Sequence, residues 1–299
     1  MTKIPVGETI AQAYRFTFAH LERVIGVIWL PILVLTVGGY FISGPYLSAE
    51  AAALNGDISQ LGPAMASLFV FEIVSLVLTA VVGVALTREI LSPLQRPLLL
   101  RFSLGATEMR LTGAFVGLIV LTIVFVFACI LVAMAAGGAL SALLPATPGL
   151  KGAERALGMG ALIAVCLMPL LIYFLARLGF LVTPSVVMEG KFGIERSWEL
   201  TKGNFWRIVG ISLAVALPLL IVTGVIELVI LGPEYFQQSM AMFGDKAEQA
   251  SHSAAQIRIL AAKLPFLMGL SFVLAPFTYG LTFAAPAFAW RALTGRGQQ

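Results

Sequence analysis

Six stretches of this sequence run for about twenty residues each with at most one charged side chain, and about twenty residues is what an α-helix needs to cross a hydrocarbon core roughly 30 Å thick. They extend from about Val24 to Ser43, Ala64 to Thr87, Thr112 to Ala135, Leu157 to Ala176, Ile208 to Ile226 and Pro265 to Trp290. Only the second holds a charge, Glu72. The composition closes off the soluble alternative. Asp, Glu, Lys and Arg make up 11% of the chain and apolar residues 59%. A water-facing surface normally draws on roughly 25% charged residues, so lipid must stand in for the missing polar shell. The expected fold is therefore all-α: a polytopic membrane bundle of six transmembrane helices, forming one integral membrane domain over residues 1–299. The first run carries no charge from Val24 to Glu50. That is longer than the roughly 7–15 apolar residues of a cleaved signal, so it reads as a retained span. Pro31, Pro169, Pro276 and Pro286 lie within spans, where neighbouring helices can satisfy the carbonyls they free.

Lysine and arginine sort by side. Lys3, Arg15, Arg23, Arg88, Arg96, Arg101, Arg110, Arg177, Lys191, Arg196, Lys202, Arg207, Arg291 and Arg296 fall at the termini or in the second-to-third and fourth-to-fifth connections. Lys151, Arg155, Lys246, Arg258 and Lys263 fall on the other side. The positive-inside rule then predicts both termini in the cytoplasm. The same bias accounts for a net charge of +4, and no basic stripe interleaved with aromatics points to nucleic acid.

The arginines also mark a pattern. Each odd span opens with Arg-x-x-Gly, at Arg23–Gly26, Arg110–Gly113 and Arg207–Gly210, and each even span ends in Arg88, Arg177 or Arg291. Two readings stand. One is a threefold repeat of helical hairpins, 8–88, 98–177 and 192–291. The other is that arginines at cytoplasmic helix feet need no repeat to explain them. Residues 8–22 place Ile10, Tyr14, Phe18 and Leu21 at helical spacing, and 192–206 place Ile194, Trp198 and Phe205 similarly. Both read as amphipathic helices lying in the cytoplasmic interface, with a weaker counterpart at 98–109. The mitochondrial-carrier signature Pro-x-acid-x-x-base is missing after Pro31 and Pro218.

The stretch from 173 to 211 carries Arg177, Pro184 and Glu189, then Arg196-Ser197-Trp198-x-Leu200-Thr201-Lys202-Gly203 leading into the fifth span. It resembles the membrane domain attached to some bacterial glycerophosphodiester phosphodiesterases, and the related stand-alone YciC-like integral membrane proteins. The match in detail covers about 40 residues, and the remainder agrees in six-span layout. The resemblance implies a multi-pass protein of the bacterial inner membrane. It does not carry phosphodiesterase activity with it, because that chemistry belongs to an additional soluble barrel.

Five features are candidates for function. Glu72 lies 16 residues before Arg88, roughly 24 Å along a helix, which places a carboxylate inside the hydrocarbon. Ser75, Thr79 and Gly83 share its face, so Glu72 is expected to point into the bundle. Glu227 lies near the outer boundary of the fifth span, where it could share a proton or cation with Glu72. Arg177, Arg196, Lys202 and Arg207 are candidate contacts for a lipid phosphate. Gly152, Ala156, Gly160 and Ala164, and separately Gly113 and Gly117, form small-residue seams for helix packing or an oligomer contact. Residues 232–263 hold Ala247, Ala250, Ala254 and Ile257 at helical spacing outside the membrane.

No Gly-x-Ser-x-Gly, Gly-Lys-Ser phosphate loop or His-Glu-x-x-His is present. His20 and His252 fall on opposite sides, and Cys129 and Cys166 sit within apolar runs as small packing residues. The expectation is a non-catalytic protein without cofactor or metal. It would act in envelope maintenance by binding membrane lipids, another membrane protein or a second copy of itself. The competing expectation is a small transporter or lipid-handling protein whose polar cavity is lined by Glu72.

Overall fold

A computed structural model describes residues 2–92, 104–143, 152–241 and 246–295, and among these all regular structure is helical. Six helices among the described residues are long and apolar enough to cross a membrane. In chain order the elements are α1 (Val6–Ala19), α2 (Leu21–Leu54), α3 (Leu61–Leu91), α4 (Ala106–Leu143) and α5 (Gly152–Gly179). They continue with α6 (Val182–Glu189), α7 (Ile194–Leu200), α8 (Phe205–Leu231), α9 (Pro233–Ala241) and α10 (Lys246–Thr294). Each expected span lies within one of the long helices. The helices overrun the expected bounds, α4 reaching 38 residues and α10 49. At about 1.5 Å per residue both exceed the thickness of a bilayer core, so their ends stand outside it.

The helices are densest at the end that carries the arginines. There α2 and α3 pack on α10, and α1 and α8 flank α10. Trp290, Leu281, Ile208, Ile211 and Leu181 are buried together, and Val24, Ile28, Val82, Leu86 and Phe283 form a second cluster beside them. Close approach is made possible by glycine. A Cβ on Gly83 would lie 2.7 Å from the Phe283 ring, and one on Gly280 2.7 Å from Thr17 Cγ2. Away from this end α3 keeps α2 beside it, through Phe71 on Gly38 and Gly39, but is otherwise bare: Leu78 to Ile90 is mostly buried, whereas Met65, Phe69, Val70, Ile73 and Val74 are exposed.

The segment at 8–22 is helical as expected but is used differently. α1 buries Thr9, Ala13 and Thr17, a stripe of small residues, and leaves Phe18 exposed. Small side chains let its backbone approach α10 at Gly280, so it packs on protein by this stripe rather than resting on lipid by its apolar face. Its larger residues reach sideways. The Tyr14 hydroxyl donates to the Ala214 carbonyl of α8 at 2.8 Å. Pro218 lies four residues beyond Ala214 and has no N–H to offer it, so Tyr14 supplies the missing donor.

The second expected interfacial helix, 192–206, contains only the short α7 followed by the start of α8. Two left-handed glycines join α6 to α7: Gly190, with φ +67°, ends α6, and Gly193, with φ +75°, precedes α7. A Cβ on Gly193 would lie 2.9 Å from the Val182 carbonyl, so the turn requires glycine. Of the third such segment, 98–109, residues 98–103 lie outside the described residues and the rest lead into α4. The outer segment 232–263 is helical apart from Gly232 and 242–245, the latter outside the described residues. α9 and the first turns of α10 lie side by side, with His252 bonded to Gln238 and Gln256 donating to the Tyr235 carbonyl at 3.5 Å.

Candidate functional site

The break between α5 and α6 is held by the motif that leads into α8. α5 ends at Gly179 and α6 begins at Val182, which leaves carbonyls and N–H groups without helical partners. Ser197 of α7 serves both ends. Its hydroxyl donates to the Arg177 carbonyl at 2.9 Å and accepts the Leu181 N–H at 3.2 Å. The Arg177 guanidinium folds back over the same helix. Its Nη2 donates to the Trp198 carbonyl at 2.7 Å, Nη1 to the Tyr173 hydroxyl at 2.8 Å and Nε to Thr201 Oγ1 at 3.4 Å. Its Cζ lies 3.6 Å from the centroid of the Trp198 ring, and the Phe174 ring stacks on Trp198 at 5.7 Å. Arg177 is 7% exposed.

Arg177 therefore joins α5 to α7 internally, and a role as an open phosphate contact does not fit its position. It makes no ion pair with a described carboxylate, so its charge is met by carbonyl, hydroxyl and aromatic groups alone.

The other basic candidates divide in the same way. Arg196 bridges Glu189 and Glu199, each at 3.0 Å. Those hydrogen bonds, Glu189 first, hold its guanidinium protonated above even its usual range. Arg207 donates from Nη1 to the Ile4 carbonyl at 2.6 Å, while Asn204 accepts the Ile4 N–H at 3.0 Å and donates to the Thr2 carbonyl at 3.2 Å. The N-terminal residues are thereby clipped to the foot of α8. Lys202 is exposed and makes no ion pair with a described residue, so it alone of the four stays free to meet a ligand. Elsewhere at this end Arg88 pairs with buried Glu108 at 3.3 Å and Arg23 with buried Glu89 at 3.9 Å.

Glu72 is exposed on α3, flanked by exposed Phe69 and Ile73, and bonds to no described residue. The expectation that it points into the bundle fails for a reason of depth. Gly83, on the same face, does pack against Phe283, but three turns away no helix covers that face. Glu227 is half-buried on α8 and likewise has no described partner. α3 and α8 each pack on α10 but make no extensive contact with one another, and Glu72 is exposed, so nothing among the described residues brings the two carboxylates together.

An apolar groove of about 230 Å³ runs between α4 and α5. Leu118, Leu121 and Phe125 form one wall, Leu171 and Leu175 the other, and Trp198 one end. The aromatic residues that carry Arg177 thus also bound the groove. Further along, α4 and α5 touch backbone to backbone: a Cβ on Gly137 would lie 2.6 Å from the Gly160 nitrogen and 2.7 Å from the Ala156 carbonyl. Gly160 and Ala156 thus form the expected seam. Gly113 and Gly117 instead face Phe192 and Ile194, where a Cβ would lie 3.2 and 3.4 Å away, so that pair seats the α6–α7 segment rather than a second span.

No group of His, Cys, Asp and Glu among the described residues could hold a metal ion. Neither the family models, the curated proteins nor the solved structures contain a match to this chain. The geometry is that of an all-α protein in which six helices among the described residues are long and apolar enough to cross a membrane.

Proposed function

We propose that this is a non-catalytic multi-pass protein of the bacterial inner membrane that binds a phospholipid at the α4–α5 face, in the service of envelope maintenance. The observation that carries this reading is the apolar groove ending on Trp198. An acyl chain is the ligand whose chemistry matches a wall made of leucine and phenylalanine, and since it comes from the bilayer its gain is close van der Waals contact and not escape from water. Lys202 lies about one turn beyond Trp198, exposed and without an ion partner, where a phosphate at the cytoplasmic interface would meet it. Arg177 holds Trp198 in place and acts as a positioning residue. The resemblance of 173–211 to the membrane domain of bacterial phosphodiesterases supports the inner-membrane location, and the arginine-bearing end is assigned to the cytoplasm by the positive-inside rule.

Lipid mass spectrometry of the purified protein tests the reading. Leu121→Trp fills the groove and Lys202→Glu repels a phosphate, so each is expected to reduce the bound phospholipid while the thermal midpoint in detergent stays close to that of the parent. Retention of the same lipids at the same stoichiometry in both variants would remove the proposal.

Glu72 favours a second contact, with another membrane protein. A carboxylate facing hydrocarbon is expensive, and a donor on a neighbouring helix relieves that expense. Exposed Phe69 and Ile73 supply apolar surface around it. Photo-crosslinkers placed at Phe69 and Ile73 should then trap a polypeptide, and Glu72→Leu should abolish the product. Capture of lipid alone would exclude this contact.

A further inference from the structure

A cavity of about 600 Å³ opens at the arginine-bearing end between the start of α1 and the end of α10, lined by Lys3, Glu8, Thr9, Gln12, Phe288 and Arg291. We propose that it is a binding site for a phosphoryl group. This site is separate from the α4–α5 groove and does not depend on it.

Four observations converge on an anion. First, Thr9 is only 1% exposed and lines the cavity, and its hydroxyl makes no hydrogen bond to a described residue. The unpartnered hydroxyl is open to the cavity and not sealed in the core, so a ligand there can reach it. Second, α1 begins after Pro5 with no side-chain cap, so the N–H groups of its first turn meet no side chain and the positive end of its dipole lies beside Pro5 and Glu8 of the cavity wall. Third, Arg291 forms no ion pair with a described carboxylate. It rests with Cζ 4.7 Å from the centroid of the Phe288 ring, and its Nη2 donates to Gln12 Oε1 at 3.2 Å. Fourth, Lys3 is held in place through its neighbours, because Asn204 and Arg207 clip the backbone of Thr2 and Ile4 on either side of it.

A tetrahedral phosphoryl group, with several acceptor oxygens, suits this mixture of ammonium, guanidinium, hydroxyl and backbone donors. Glu8 is the one acidic side chain among the described residues of the wall. Its Oε1 accepts from Gln12 Nε2 at 2.8 Å, and the other face of that amide holds Arg291. Glu8 therefore orients Arg291 through Gln12 while opposing the anion by its charge.

The phosphoryl group could belong to a lipid headgroup or to a soluble phosphate, and the experiment has one arm for each. In the first, the full-length protein in phospholipid-free detergent is dialysed against radiolabelled inorganic phosphate. In the second, it is placed in phosphatidylcholine nanodiscs carrying phosphatidic acid, and the retained phosphatidic acid is measured. Binding is expected in at least one arm. Arg291→Gln and Thr9→Val should each weaken it about tenfold, a difference of about 1.4 kcal/mol. Glu8→Gln should strengthen it, or leave it unchanged where the loss of orientation cancels the loss of repulsion. Phosphate binding alone identifies a soluble ligand, and phosphatidic acid alone a lipid. Thr9→Val changes neither size nor charge, so it keeps the test decisive if Arg291→Gln fails to fold. The proposal is overturned if the parent binds in neither arm, or if Thr9→Val and Arg291→Gln both bind as the parent does. Leu121→Trp should leave both arms unaffected, which separates this site from the groove.

Discussion

The α2–α3–α10 core and the α4–α5 hairpin solve the same problem in different ways. In the core, aromatic rings sit against glycines: Phe283 against Gly83, and Phe71 against Gly38 and Gly39. In the hairpin two backbones meet directly at Gly137 and Gly160. Within its most apolar window, 33% of α3 is buried but 0% of α4. In water such a bare hairpin would collapse onto the core. In lipid each helix already satisfies its own backbone, and helices associate by van der Waals contact rather than by escape from solvent. A hairpin touching the rest of the protein along little of its surface is stable there, and its free faces remain available to ligands.

The largest effect is expected where the two regions are joined. Arg177 of α5 bonds to α7, which leads into α8 beside the core. Arg177→Met removes three hydrogen bonds and the contact with the Trp198 ring, and should lower stability by about 4 kcal/mol, because the part-buried Trp198 carbonyl loses a charged donor. Heat denaturation in mild detergent measures the loss. If instead the hairpin is held mainly through α4, Arg177→Met will fall below about 1 kcal/mol, the range of an exposed charge. Next is Gly137→Leu, which drives a side chain into the backbone of α5 and should cost about 3 kcal/mol. Its signature is local: spin labels on α4 and α5 should separate while labels on α2 and α10 keep their distance. Gly83→Leu makes the reciprocal test in the core, at about 2 kcal/mol, because the Phe283 ring can swing where the Gly160 backbone cannot.

Much of this comparison could be read from the chain before its structure, and the rest could not for physical reasons. The spans follow from runs of apolar residues, and the gathering of Arg23, Arg88 and Arg177 at one end follows from the alternation of the loops. Both are local properties. The role of Arg177 is not. Its acceptors come from Trp198 and Thr201, more than 20 residues away, and nothing in the spacing states that α7 folds back across the end of α5. A charged residue at a helix foot looks the same whether it meets lipid or a carbonyl. Glu72 shows a different limit. Periodicity correctly set it on the face of Gly83, but a period describes a face and not how far along it the neighbouring helices continue. The seam in α5 is legible because a four-residue repeat of small residues marks a face of close approach, although the same spacing at Gly113 and Gly117 meets the α6–α7 segment and not a span. The cavity beside Thr9 is not legible, since its walls come from the two ends of the chain.

The smallest effect separates the two regions by their prolines. Pro218 in α8 frees the Ala214 carbonyl, and the Tyr14 hydroxyl from α1 meets it at 2.8 Å. Pro169 in α5 frees the Val165 carbonyl, which no described side chain meets. Tyr14→Phe should therefore cost about 1 kcal/mol, the net worth of one hydrogen bond. If the carbonyl is the reason, Pro218→Ala restores an N–H to Ala214 and makes the tyrosine hydroxyl redundant. Tyr14→Phe should then have almost no effect in the Pro218→Ala background, and the coupling in the double-mutant cycle should equal nearly the whole single-mutant loss. Pro169→Ala should leave the cost of Tyr14→Phe unchanged, since the two sites share no contact. A cost of Tyr14→Phe that survives Pro218→Ala would assign the residue to packing against α8, and the link between the proline and the tyrosine would be lost.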